Sequence, residues 1–200
     1  MPPAPEGFLV GLSLIVAIGA QNAFVLRAGL KRQFPLVVAC VSTLGDAALI
    51  SLGALGLGGL LAANEGLRRL ATLGGAAFLA WYGVKALRSA LRPGELRPAS
   101  DSGPATPAAA ALTAAGFSLL NPHAILDTVV LLGSVSARHV GPARLEFALG
   151  AVLASALWFF GLAFGAARLA PLFARPSAWR VLDFFVAALM LTLALGLLLH

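Results

Sequence analysis

Asp46 and Asp127 are carboxylates set in apolar sequence, where a charge has no water to face. Asp46 lies near the middle of the apolar run 35–61, and Asp127 follows Pro122 by five residues in the run 108–133. An ionisable group at membrane depth is costly, and by default it marks a functional site whose partner has to be named. The sequence places no Lys or Arg at comparable depth, so the implied partner is a cation that comes and goes. A buried carboxylate is cheaper neutral than charged. Asp46, close to Ser42 and Thr43, can therefore hold a proton when empty and give it up to a cation, which would couple transport to a proton.

Asp127 has its own polar company in SLLNPHAILDT, which brings Asn121, Pro122 and His123 close to it. Pro122 lacks an N–H and clashes with the carbonyl of Ser118, four residues back. A carbonyl freed inside a membrane has to find a partner or line a cavity. His123 and Asp127 share a helix face at i, i+4, so the imidazole can orient the carboxylate or relay a proton. The competing reading is a packing kink whose polar groups satisfy one another. A second polar group lies in IGAQNAF. There Gly19 permits local unwinding, and Gln21 and Asn22 offer adjacent amides that donate and accept. The same amides would serve equally as a clamp between helices.

The elements that hold these groups are apolar runs. The chain has 200 residues, 60% of them hydrophobic and 11% charged, against about 45–50% and about 25% in soluble domains. Crossing the hydrocarbon takes about 20 mostly apolar residues, and six runs qualify: 7–26, 35–61, 67–90, 108–133, 145–169 and 181–199. The expected fold is an all-α membrane protein of six transmembrane helices forming a single transporter domain. The stretch 91–107, LRPGELRPASDSGPATP, reads as a linker between halves 7–91 and 108–199. Three helices per half forces the second half to be inverted, as in transporters built from inverted repeats. A faint echo of QNAFVL in PHAILD accompanies that parity.

Charge is consistent with this reading. The net charge of +6 comes from 14 basic and 8 acidic residues gathered in short loops. No basic stripe is interleaved with aromatics, so nucleic acid is not a partner. The loops after the first, third and fifth runs hold Arg27, Lys31, Arg32, Arg88, Arg92, Arg97, Arg168, Arg175 and Arg180. The positive-inside rule makes that side cytoplasmic, with both termini facing away. Asp183 reads as a helix-dipole residue at the start of the sixth run. Gly7-x-x-x-Gly11 and Gly161-x-x-x-Gly165 allow close helix approach, within one chain or in a homodimer. The lone Cys40 excludes an intramolecular disulfide. MPPAPEG lacks a charged signal region, so the first run is retained as a helix. Zinc-protease, nucleophile-elbow and phosphate-loop motifs are missing from the sequence, which argues against an enzyme and against a bound cofactor or metal.

Several segments, in order, resemble the bacterial lysine/arginine exporter (LysE/ArgO) family: IGAQNAFVLRAGLKRQ, the GD at Asp46, GGAAFLAWYG, SLLNPHAILDT and LWFFGLA. The resemblance covers nearly the whole chain. It implies a multi-pass inner-membrane exporter of L-arginine, L-lysine or both, with importance attached to Asp46, Asp127, Asn22 and the Asn121-Pro122-His123 segment. On this reading Asp46 and Asp127 hold the cationic groups of the substrate. Gln21, Asn22, Asn121 and the kinked backbone at Ser118 receive its carboxylate, and a proton moves the other way. Export of a divalent metal or of neutral amino acids on the same fold, or a purely structural membrane protein, are the alternatives.

Overall fold

The computed structural model describes residues 1–16, 19–56, 64–91, 104–120, 125–169, 171 and 176–199, and all regular structure among them is helical. In chain order the elements are α1 (Pro3–Ile15), α2 (Ala20–Leu30), α3 (Pro35–Ala54), α4 (Glu65–Leu91) and α5 (Pro107–Leu119). A π-helix (Leu126–Leu132) follows, then α6 (Gly133–Ser136), α7 (Pro142–Gly165), a 3-10 turn (Ala166–Leu169) and α8 (Pro176–Leu199).

Prolines set several starts. Pro3, Pro35, Pro107 and Pro142 each occupy the first turn of a helix, where the missing N–H costs nothing. Thr106 caps α5, its hydroxyl accepting from the Ala109 N–H at 3.1 Å. The end of α2 is closed by a six-to-one bond from Gln33 N–H to Ala28 O at 3.0 Å and by Arg32 N–H to Gly29 O at 3.1 Å. This is a Schellman motif with Arg32 in the left-handed position, φ 52°.

The run 7–26, expected as one helix, is two: α1 and α2 are inclined to each other by 84°. Neither is long enough to cross alone, at about 20 Å and about 17 Å. Gly19, extended at φ −119°, ψ 177°, precedes α2. Similarly, α5 ends at Leu119, far short of the run 108–133. Among the described residues three helices are individually long and apolar enough to span: Pro35–Ala54, Pro142–Gly165 and Ser177–Leu199. The bent pair α1 and α2 qualifies when taken together. The linker 92–103 lies outside the described residues.

Packing interleaves the two halves of the chain. α1 lies along α7, α3 packs on α7, α5 and the π-helix, α2 packs on α7, and α4 pairs with α8. Close approach is made by missing side chains. A Cβ on Gly7 would strike the Phe147 carbonyl, one on Gly150 the Ala4 carbonyl, and one on Gly11 would sit 3.0 Å from Ala151 Cα. The steps from Gly7–Phe147 to Gly11–Ala151 make α1 and α7 parallel. Ser89–Asp183 and Gly83–Met190 make α4 and α8 antiparallel. α2 is buried on nearly every side, as a helix inside a bundle must be. An aromatic cluster of Phe24, Phe78, Tyr82 and Phe117, with ring centroids 4.8–5.9 Å apart, joins α2, α4 and α5.

Candidate functional site

Asp46 sits in the body of α3 and is only 6% exposed. Ser155 of α7 donates its hydroxyl to Asp46 Oδ2 at 2.8 Å, and the Gln21 side chain is a second hydrogen-bond neighbour. Gln21 also donates through Nε2 to Ser118 Oγ at 2.9 Å, and Ser118 passes its own proton to the Ala114 carbonyl at 3.2 Å. The approach of α5 to α3 that allows this is made by Gly45, whose hypothetical Cβ would overlap the Ser118 side chain. Four helices therefore converge on one buried polar group: α2 through Gln21, α3 through Asp46, α5 through Ser118 and α7 through Ser155. Its described hydrogen-bond neighbours are neutral. Among the described residues no salt bridge reaches Asp46.

Asn22 stands beside this group with both ends of its amide occupied. Nδ2 donates to the Ile15 carbonyl at 2.7 Å, and Oδ1 accepts from Trp158 Nε1 at 3.0 Å. Ile15 is the last residue of α1, so its carbonyl is one of those a helix end leaves without an internal partner. The Asn22 side chain satisfies it and ties the α1–α2 break to α7. Ser42, one turn before Asp46, is fully buried, and neither its hydroxyl nor that of Thr43 has a hydrogen-bond partner among the described residues. By contrast Ser51 and Thr113 bond back to the carbonyl four residues earlier, each at 2.7 Å.

The backbone of Asp127 lies in the π-helix, and π segments inside helices are frequent at functional sites. That element packs on the later part of α3, where Gly53 faces the Val129 and Thr128 carbonyls and Gly133 faces Gly53. The side chain of Asp127, together with Asn121, Pro122 and His123, lies outside the described residues.

A second buried polar group occupies the other end of α2. Arg27 Nη1 lies 2.9 Å from Asp183 Oδ1, with side chains 5% and 8% exposed. Ser89 of α4 donates to Asp183 Oδ2 at 2.7 Å. This corrects two expectations. Arg27 belongs to the interior, not to a loop, because α2 is central. Asp183 is two turns inside α8, beyond the first turn where the helix dipole acts, and it serves as the counter-charge of Arg27. Lys31 lies over the Trp179 ring at 5.4 Å and Lys85 over Trp81 at 5.5 Å. Burial, followed by the nearby Arg27, lowers the Lys31 pKa to about 8.

The sequence reading missed Ser155, whose only signal was a hydroxyl in the apolar run AVLASALWFF. It also missed the Arg27–Asp183 pair, whose members are 156 positions apart. Among the described residues no group of three or more His, Cys, Asp or Glu side chains is placed to hold a metal.

Comparison with known proteins gives the arrangement a family. The model of the LysE type translocators matches residues 12–200. YggA of Aeromonas salmonicida is 45% identical over 193 residues, 96% of this chain and 93% of the relative. The arginine exporter protein ArgO of Pectobacterium carotovorum is 39% identical over 195 residues, 98% and 96% of the two chains. ArgO of Salmonella paratyphi A is 38% identical over 192 residues, 96% and 91%. No solved structure matches. A family match across almost the whole chain, with relatives of similar length, means that the chain belongs to the LysE type translocators and is a multi-pass protein of the inner membrane.

Proposed function

We propose that the protein exports basic amino acids, L-arginine, L-lysine or both, across the bacterial inner membrane in exchange for protons. The observation that carries this reading is Asp46: a carboxylate buried mid-helix, held by Ser155 and Gln21, with no cation on it among the described residues. A cationic amino acid supplies the missing charge, and relatives named arginine exporter support amino acid export as the activity.

In this mechanism Asp46 takes one cationic group of the substrate and Asp127 the other. Gln21, Asn22 and Asn121, with the backbone at Ser118, receive the α-carboxylate. His123 orients Asp127 or relays a proton. Gln21 and Asn22 now spend their hydrogen bonds on Ser118, Ile15 and Trp158, so substrate entry has to exchange those bonds and loosen the break at Gly19. Moving one net charge outward against an inside-negative potential costs about 2.3 kcal/mol per 100 mV, and an incoming proton offsets it.

The packing supports an inverted repeat of three spans in each half. Exchanging the halves maps α1 on α7 to α5 on α3, and α2 on α7 to the π-helix on α3, and it maps the α3–α7 and α4–α8 pairs onto themselves. Parallel α1 and α7 and antiparallel α4 and α8 are what alternating spans require.

The test is efflux of arginine and lysine from cells preloaded with basic dipeptides, at matched membrane abundance of native, Asp46→Asn and Asp127→Asn protein. Native efflux lost in both variants is the expected result. A native protein that moves neither amino acid overturns the reading. Residual Asp46→Asn flux with the native dependence on external pH overturns the proton coupling.

A further inference from the structure

From the Arg27–Asp183 group we infer that Asp183 is a second cation station on the transport path, closed by Arg27 until a cationic substrate takes the place of that guanidinium. The inference rests on the export reading above and adds a binding residue to it.

Three features support it. The first is position. Gln21, which adjoins Asp46, and Arg27 lie on the same buried helix, six residues or about 9 Å of rise apart. A cation moving between Asp46 and the basic end of the bundle along α2 meets Arg27, Lys31 and Lys85, all of which repel it. Asp46 and Asp183 are the buried carboxylates among the described residues, so Asp183 is the group that offsets that repulsion.

The second is the quality of the pair. Asp183 Oδ1 is 2.9 Å from Arg27 Nη1, yet it accepts no aligned hydrogen bond among the described residues; its other oxygen is bonded to Ser89. The contact is Coulombic without good geometry. Buried ion pairs contribute little net stability unless geometry is excellent, so an incoming guanidinium or ammonium that aligns with Oδ1 competes on favourable terms.

The third is architecture. α8 packs chiefly on α4, and this pair meets α2 through the aromatic cluster and the ion pair. Breaking Arg27–Asp183 therefore removes the ionic tie between this two-helix unit and the helix that carries Gln21 and Asn22, and leaves the aromatic cluster in place.

Exchange and a merely structural role differ in sign. Arginine transport is measured in proteoliposomes, with substrate titrated on the side of Arg27. Asp183→Asn removes the carboxylate that would hold the incoming cation beside Arg27, so KM should rise about tenfold. Arg27→Gln removes the resident competitor, so KM should fall several-fold. A structural pair lowers the melting temperature and maximal rate in both variants with KM unchanged, and that result overturns the proposal. KM shifts of the same sign overturn it too. Where either variant fails to fold, Asp183→Glu and Arg27→Lys are read by the same rule, with smaller shifts expected. Native protein that transports neither arginine nor lysine overturns the export reading and this inference together. Native transport with equivalent variants overturns this inference alone.

Discussion

At the scale of single residues, the molecule handles charge by two different devices. Among the described residues Asp46 is held by neutral donors, while Asp183 faces the cations Arg27 and Lys31 as well as Ser89. The first arrangement leaves a charge to be supplied from outside, and Asp46→Asn is the direct test of that. The second makes Lys31 a measurable liability. Its pKa falls from 10.5 to about 8 because burial and then Arg27 disfavour its charge. Below about pH 8 both folded and unfolded chains carry that proton, and the folded state bears the whole unfavourable interaction. Between about 8 and 10.5 the unfolded chain binds a proton that the folded chain lacks, so stability rises with pH across that window. Thermal unfolding of the detergent-solubilised protein should shift upward from pH 8 to pH 10, and Lys31→Met should flatten the rise. An equal slope in the variant would assign it to another group.

At the scale of elements, glycine placement separates helix faces that touch from faces that do not. A Cβ at Gly150 meets backbone of α1, whereas one at Gly161 meets nothing within 4 Å among the described residues. Gly150→Ala should force α1 off α7 and reduce the folded yield sharply, since that seam is backbone against backbone. Gly161→Ala should be neutral or stabilising by up to about 1 kcal/mol, the helix propensity difference. Folded yield and thermal unfolding check both, and a destabilised Gly161→Ala would show that this open face is packed against a second copy.

Much of this level was legible in the sequence. The apolar runs located the long helices, and α2 starts just after Gly19. The shortness of α1, α2 and α5 was not legible, because hydropathy is continuous across a bend and reports burial from water without reporting axis direction. Ser155 and Arg27–Asp183 were hidden for a different reason. Their significance comes from partners more than a hundred residues away, and no local spacing encodes that.

At the scale of the whole molecule, each half buries its helices against the other. α1 needs α7, α3 needs α7 and α5, and α4 needs α8. Among the described residues no comparable seam is confined to residues 1–91. Either half expressed alone should therefore leave long apolar faces unpaired and be degraded. The halves 1–98 and 99–200, cut within the stretch 91–107 and co-expressed, should assemble and retain efflux within several-fold of the intact chain. Recovery of a stable first half on its own, seen by membrane fractionation and blotting, would contradict this packing account.

The bond from Trp158 to Asn22 also gives the molecule an internal optical readout. The chain has three tryptophans. Trp81 and Trp179 lie beneath Lys85 and Lys31 at the basic end, while the Trp158 indole is fastened to the amide that closes the α1–α2 break. With Trp81 and Trp179 replaced by Phe, emission comes from Trp158 alone, and loss of its hydrogen bond changes the colour of that emission. Opening at the centre then has its own optical signal, and a companion variant that keeps only Trp179 reads the basic end, so the order of the two events can be timed without a label.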